Sequence, residues 1–312
     1  MPRKLDKQYS AVWVVTGEKY VPWGLASVAT FHALHPECNL VWLVSDSAAT
    51  RTENLIPDFL KNRLEIRVVA ESGESDKESS RRLKVQARRL VKGDFFQIDA
   101  DILFARPLDF DWSSVATTAA APNRETIGDF QEDPINGWAK GIFFTVGWRM
   151  PTPYFNTGFV FWKDVTEAHE FATQWERERS EFQLRTGHCI DQPAFNKVAG
   201  EMGCVTLLDS RFNAPVITLP HLSKGASCFH YYATLGDEAG INCSALAWLA
   251  AKIESKEGDV LEEILKFQLN SKPFVGWGAH EQQYWLAGQW RNYAERKLRV
   301  GWDHLKKKLK GA

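Results

Sequence analysis

Short apolar runs alternate with amphipathic stretches through the first third of the chain. Residues 11–15 (AVWVV) form an apolar, β-branched run closed by Thr16-Gly17, which predicts a strand buried on both faces. A helix is expected next, because Pro22 suits a first turn and Leu25, Val28, Ala29 and Leu34 keep helical spacing. Residues 40–46 (LVWLVSD) predict a second strand, 52–62 a helix, and 64–70 (LEIRVVA) a third strand. The polar stretch 71–80 reads as a surface loop. Arg81 to Val91 reads as a helix with Leu83, Ala87 and Leu90 on one side, stopped by Lys92-Gly93. Residues 94–104 (DFFQIDADILF) predict a fourth strand interrupted by two acids. Such alternation over short links implies an open α/β sheet across the first ~110 residues.

The second half is less regular. Residues 112–153, rich in Ala, Thr, Gly and Pro, read as a long excursion out of the sheet. Residues 154–164 (YFNTGFVFWKD) return as a strand, and Thr166 to Glu181 as a helix capped by Thr166. From 245 onward the pattern is mostly helical. This divides the chain into a domain over 1–244, with halves 1–110 and 111–244, and a helical extension over 245–312 packed on the same domain.

Composition narrows the class. Of 312 residues, 44% are hydrophobic and 25% charged, a globular and not a disordered balance. The formal net charge of −1 excludes a protein that coats nucleic acid, which needs a summed basic field. No apolar run approaches the ~18 residues of a membrane-spanning helix, and the first residues carry no signal-peptide pattern. Cys38, Cys189, Cys204, Cys228 and Cys243 are scattered without a C-x-x-C pair, so neither a disulfide framework nor a thiolate zinc site is expected. That usage fits a cytoplasmic setting. Near the C-terminus, Trp290, Tyr293 and Trp302 interleave with Arg291, Arg296, Lys297 and Lys306, which leaves two readings: a solvated helix face, or a helix touching an anionic membrane surface.

The sharpest chemical feature is Asp99-Ala100-Asp101. An unpaired buried carboxylate costs several kcal/mol, so something cationic must meet these acids at the end of an apolar strand. Either one acid caps a turn while the other pairs with Arg106 or Lys84, or they hold a hard divalent ion such as Mn²⁺ or Mg²⁺ shared with substrate phosphates.

The segment LKVQARRLVKGDFFQIDADILFARPLDF closely resembles the surroundings of the D-x-D motif in family 8 glycosyltransferases. Further landmarks follow the family's order: VVTGEKY at 14–20, YFNTGFVFW at 154–162, Asp191-Gln192-Pro193-Ala194-Phe195-Asn196, Arg211-Phe212-Asn213 and Phe229-His230-Tyr231. The resemblance spans residues 11 to 232. It implies a GT-A fold, a Rossmann-like open mixed sheet flanked by helices, and a metal-dependent retaining transferase. Such an enzyme moves a hexose from UDP-glucose or UDP-galactose to a glycan or other hydroxyl acceptor.

By the same resemblance Asp99, Asp101 and His230 are the metal ligands, for Mn²⁺ or Mg²⁺. Thr16 and Tyr20 bracket the base, while Ala100, Asn156 and Thr157 contact the donor. Lys84 stabilises the leaving group or the sugar, Asp191 holds the sugar, and Gln192 lies near the anomeric carbon. The departures are two. Gly17 stands where many members carry an acid, and the text after His230 lacks the family's H-x-x-G-x-x-K-P-W. Trp138 and Trp148, in the irregular excursion, are candidates for holding the acceptor, which an excess of 13 tryptophans invites. Two other readings stay open: a silent nucleotide- or carbohydrate-binding protein on the same fold, and a sugar-nucleotide nucleotidyltransferase. The second normally carries a glycine-rich phosphate loop that TGEKYVPWG does not supply.

Overall fold

A computed structural model of the chain describes residues 8–70, 75–123, 141–232, 244–275 and 281–295, with the single positions 5, 242, 297 and 298. Its frame is a seven-stranded sheet. In chain order the strands are β1 (Tyr9–Val15), β2 (Asn39–Val44), β3 (Leu64–Val68), β4 (Asp94–Ile98), β6 (Thr118–Pro122), β7 (Phe155–Trp162) and β8 (Val205–Leu207). They lie side by side as β3-β2-β1-β4-β7-β6-β8, and only β7 runs against the rest. A second sheet joins β5 (Ile102–Phe104), β10 (Cys228–His230) and β9 (Ala214–Pro215) in that spatial order.

Apolar runs become central strands because both sides are covered. On β1, Ala11, Trp13 and Val15 face one core together with Trp42 and helix α1 (Val21–Leu34), while Val12 faces the other with Val41 and Leu43. Successive side chains of a strand point to opposite faces, so one uninterrupted run serves two cores. The second core is closed by α3 (Asp76–Leu90), α4 (Thr166–Thr186) and α5 (Gln192–Met202). Against α1 lie α6 (Ala245–Ser255) and α7 (Val260–Asn270), and Gln268 donates to the carbonyls of Thr30 (2.8 Å) and Phe104 (3.2 Å).

Several boundaries differ from the sequence reading. The helix expected over 52–62 is α2 (Asp46–Leu55), because Pro57 forces Ile56 into an extended conformation and ends it. The loop expected over 71–80 yields to α3 at Asp76, where Ser75 and Glu78 form a reciprocal capping box. Thr166 does not cap α4: Val165 occupies that position without a side-chain bond, and the helix runs five residues past Glu181 to Gly187 in the left-handed region. The run 94–104 is two strands in two sheets. The excursion over 112–153 contributes β6 to the main sheet, and residues 124–140 lie outside the described set.

Candidate active site

The chain changes sheets at Asp99-Ala100-Asp101. Asp99 donates its backbone N–H to Gly158 on β7 (2.8 Å), and the Asp101 carbonyl accepts from Tyr231 just past β10 (2.9 Å). The β5–β10 register sets His230 opposite Ile102, which brings its Nε2 to 3.3 Å from Asp101 Oδ1. One ligand atom from each of Asp99, Asp101 and His230 lies within 4.8 Å of the other two. Two carboxylates and an imidazole are the oxygen and nitrogen donors a borderline divalent cation accepts, so this donor set fits such an ion. Burial would raise the Asp101 carboxyl, but His230 and Lys84 opposite hold it below the ordinary range.

Of the two cations considered for these acids, Lys84 pairs with Asp99 and Arg106 pairs with neither. Lys84 Nζ lies 2.8 and 2.9 Å from the two oxygens of Asp99, whereas Arg106 donates to the Ala226 carbonyl (3.2 Å). Lys84 also reaches Thr157 Oγ1 at 3.3 Å and Asp191 Oδ2 at 3.4 Å. Asp191 sits at the N-cap position of α5, yet its side chain caps nothing. Its carboxylate instead pairs with Arg81 Nη1 (3.0 Å) and accepts the Thr157 hydroxyl (3.0 Å). Burial pushes this carboxyl up, but the charges of Lys84 and Arg81 overcome that and bring it down to about 2.

The two motifs that supply these groups are stapled together. Asn196 on α5 accepts from the Phe155 N–H (2.6 Å) and donates to the Phe155 carbonyl (2.9 Å), fixing α5 on the start of β7. Gln192 Oε1 consequently meets the Thr157 N–H at 3.5 Å. Lys84, Asp99, Asp101, Thr157, Asp191, Gln192 and His230 are thus brought into one neighbourhood.

Asn156 is different. Buried, it donates to Asn123 (2.7 Å) while its oxygen accepts from Gly158 N–H (2.7 Å) and from Asn213 (2.8 Å). Its amide is thus tied to interior partners on three sides.

A cleft opens beside the acids at the carboxyl ends of β1 and β4, the end where open α/β sheets take ligands. Thr16, Tyr20, Ala100 and Arg81 line it with Asp99 and Asp101. Tyr20 is 39% exposed and meets Trp23 edge-on at 6.2 Å. The Thr16 hydroxyl donates to the Asp76 carbonyl. Gly17 adopts φ +85°, and a Cβ there would lie 2.4 Å from Asp76 Oδ2. The Asp76 carboxylate, from α3, therefore fills the space a side chain at 17 would take.

Trp148 is not brought to this cleft. Its ring packs on Phe143 and Phe182 at 5.9 and 5.7 Å, under Lys197, and lines a separate hollow between 147–152 and α5. Trp138 and the basic stretch from 299 onward lie outside the described residues. Among those described, no helix is long and apolar enough to cross a membrane.

Sequence reasoning missed Asp76, Lys77, Ser80 and Arg81, all of which line the cleft. The signal was present: the S-x-x-E capping box at 75–78 starts α3 early and sets these residues on one helical face with Lys84.

No family model matches the sequence, and no curated protein matches it. Among solved structures the chain resembles the galactosyltransferase LgtC in complex with donor and acceptor sugar analogues, at TM-score 0.54 and 15% identity over 81% of this chain and 95% of that one. It also resembles the WbbM bifunctional glycosyltransferase, at TM-score 0.55 and 14% identity over 87% of this chain; there it spans about half of the longer protein, 52%. The seven-stranded mixed sheet between helical layers is thus the GT-A fold of these glycosyltransferases.

Proposed function

We propose that the chain is a metal-dependent retaining glycosyltransferase of the family 8 type, moving a hexose from a UDP-sugar to a hydroxyl acceptor. The observation that carries this reading is the convergence of Asp99, Asp101 and His230 beside a cleft walled by Thr16 and Tyr20, on a GT-A fold. In this reading those three residues hold Mn²⁺ or Mg²⁺, which supplies charge neutralisation on the departing diphosphate.

The chain's own groups do the rest. Tyr20 offers a half-open ring on which a base stacks, a contact worth ~1–3 kcal/mol. Lys84, enclosed among Asp99, Thr157 and Asp191, keeps a fixed positive charge where the leaving group's negative charge develops. Asp191, both oxygens engaged, holds Lys84 and Arg81 in place and leaves Gln192 as the polar group at the start of α5 nearest the sugar. Gln is a poor nucleophile, because its amide oxygen is barely basic. The reading therefore has the acceptor hydroxyl enter on the face the diphosphate leaves, its proton passing to the diphosphate oxygen.

The test is donor hydrolysis. Purified protein with Mn²⁺ and a panel of UDP-hexoses is expected to release UDP slowly, and Asp101→Asn to abolish the release. Tight UDP binding with no hydrolysis and no transfer to any acceptor favours the silent-binder reading instead.

A further inference from the structure

The cleft face of α3 carries Lys77, Ser80 and Arg81 alongside the acids. These residues are a turn apart, as the i, i+3, i+4 geometry of a helix requires. Their commitments differ. Lys84, further along the same face, is only 3% exposed and is shared among Asp99, Thr157 and Asp191. Arg81 keeps a third of its side chain open, 33%, and pairs with Asp191 through one nitrogen. Asp191 does not depend on it alone, because Lys84 and Thr157 reach the other oxygen. A guanidinium has five N–H donors in a flat fork, so one bond to Asp191 leaves the fork able to clasp a second anion bidentately.

Among the described residues lining the cleft, Lys77 and Arg81 carry the positive charge. Past His230 the next lysine or arginine in the chain is Lys252, and the intervening text includes Asp237 and Glu238. A diphosphate laid against Asp99 and Asp101 must find its cationic partners elsewhere. From these placements we infer that Arg81 is a phosphate-binding residue, clasping the diphosphate of the donor nucleotide from α3, with Lys77 adding charge at the rim. This rests on the UDP-sugar donor proposed for the cleft. Sharing its fork between Asp191 and the diphosphate, Arg81 ties the nucleotide half of the site to the sugar half.

Calorimetric titration with uridine and with UDP, both at saturating MnCl₂, separates the possibilities. Arg81→Gln is expected to weaken UDP about tenfold or more, the scale of a lost charge-assisted hydrogen bond, while uridine binds as in the wild type. Arg81→Lys, which keeps the charge and loses the fork, is expected to fall between them, and it reads the same comparison should the glutamine variant fail to fold. Unchanged UDP affinity in both variants overturns the assignment, as does an equal loss for uridine and UDP, which would make Arg81 a brace for Asp191 alone. Wild-type protein that binds neither ligand overturns the donor reading and this assignment with it.

Discussion

His230 packs against the bare Cα of Gly158: a Cβ at 158 would lie 2.3 Å from His230 Cε1 and 2.8 Å from Nδ1. The same glycine accepts the Asp99 backbone N–H. One residue of β7 thus seats two of the three candidate metal ligands. Gly158→Ala is expected to push the imidazole away from Asp101 and weaken Mn²⁺ binding by about ten- to a hundredfold, the range for disturbed outer-shell contacts. Mn²⁺ titration followed by electron paramagnetic resonance reads this directly. Affinity equal to the wild type would show that the ring can retreat without losing the site.

Lys84 and Asp191 are both almost fully enclosed, and Lys84 also faces Asp99. Lys84→Met is expected to cost about 3 kcal/mol in urea unfolding, the low end for breaking a buried pair, because Arg81 still faces Asp191. Adding Asp191→Asn should recover part of that loss. A double variant no more stable than the single one would mean that the penalty arises from packing and not from an uncompensated charge.

Much of this arrangement was legible in the chain, and what was not has a physical reason. The double-sided strands announce themselves as apolar runs, and Asp99 and Asp101 stand out because acids are costly there. The sheet change at Ala100 does not, since β4 and β5 read as one strand until β10 is known to pair with Ile102 and Phe104. The interior role of Asn156 depends on Asn123 and Asn213, thirty-three positions before it and fifty-seven after it in the chain, a pairing no local pattern encodes. Arg81 was hidden differently. Among Arg82, Arg88 and Arg89 it looks like one more solvated helix charge, and only its ion pair with Asp191, 110 positions further along the chain, sets it apart.

His35 predicts a pH dependence away from the site. It is buried, accepts the Leu108 N–H on Nε2 (3.2 Å), and burial lowers its pKa to about 4. The unfolded chain takes up a proton near the ordinary value of about 6.5 while the native protein does not. Its contribution is therefore full above pH ~6.5 and lost as pH falls toward 4, a decline of about 3 kcal/mol. His35→Gln keeps an acceptor for Leu108 and should flatten that limb of the stability curve. An unaltered slope between pH 6.5 and 4 in the variant would place the acid sensitivity elsewhere.

Trp148 was expected at the acceptor, yet its contacts are those of packing. Its ring lies between Phe143 and Phe182, half-buried, with Lys197 Nζ 5.4 Å from its centroid. The hollow it lines with Met150 and Gly200 shares no residue with the cleft that holds Asp99 and Asp101. Truncating a buried tryptophan costs roughly 3–5 kcal/mol, and a half-buried one should lose less, about 2 kcal/mol. Trp148→Ala is thus expected to lower the urea midpoint and to reduce donor hydrolysis and transfer in equal proportion, through the fraction folded. Assays of both activities on one preparation decide the matter. Transfer that falls while hydrolysis holds would return Trp148 to the acceptor and make the hollow beside α5 part of the substrate path.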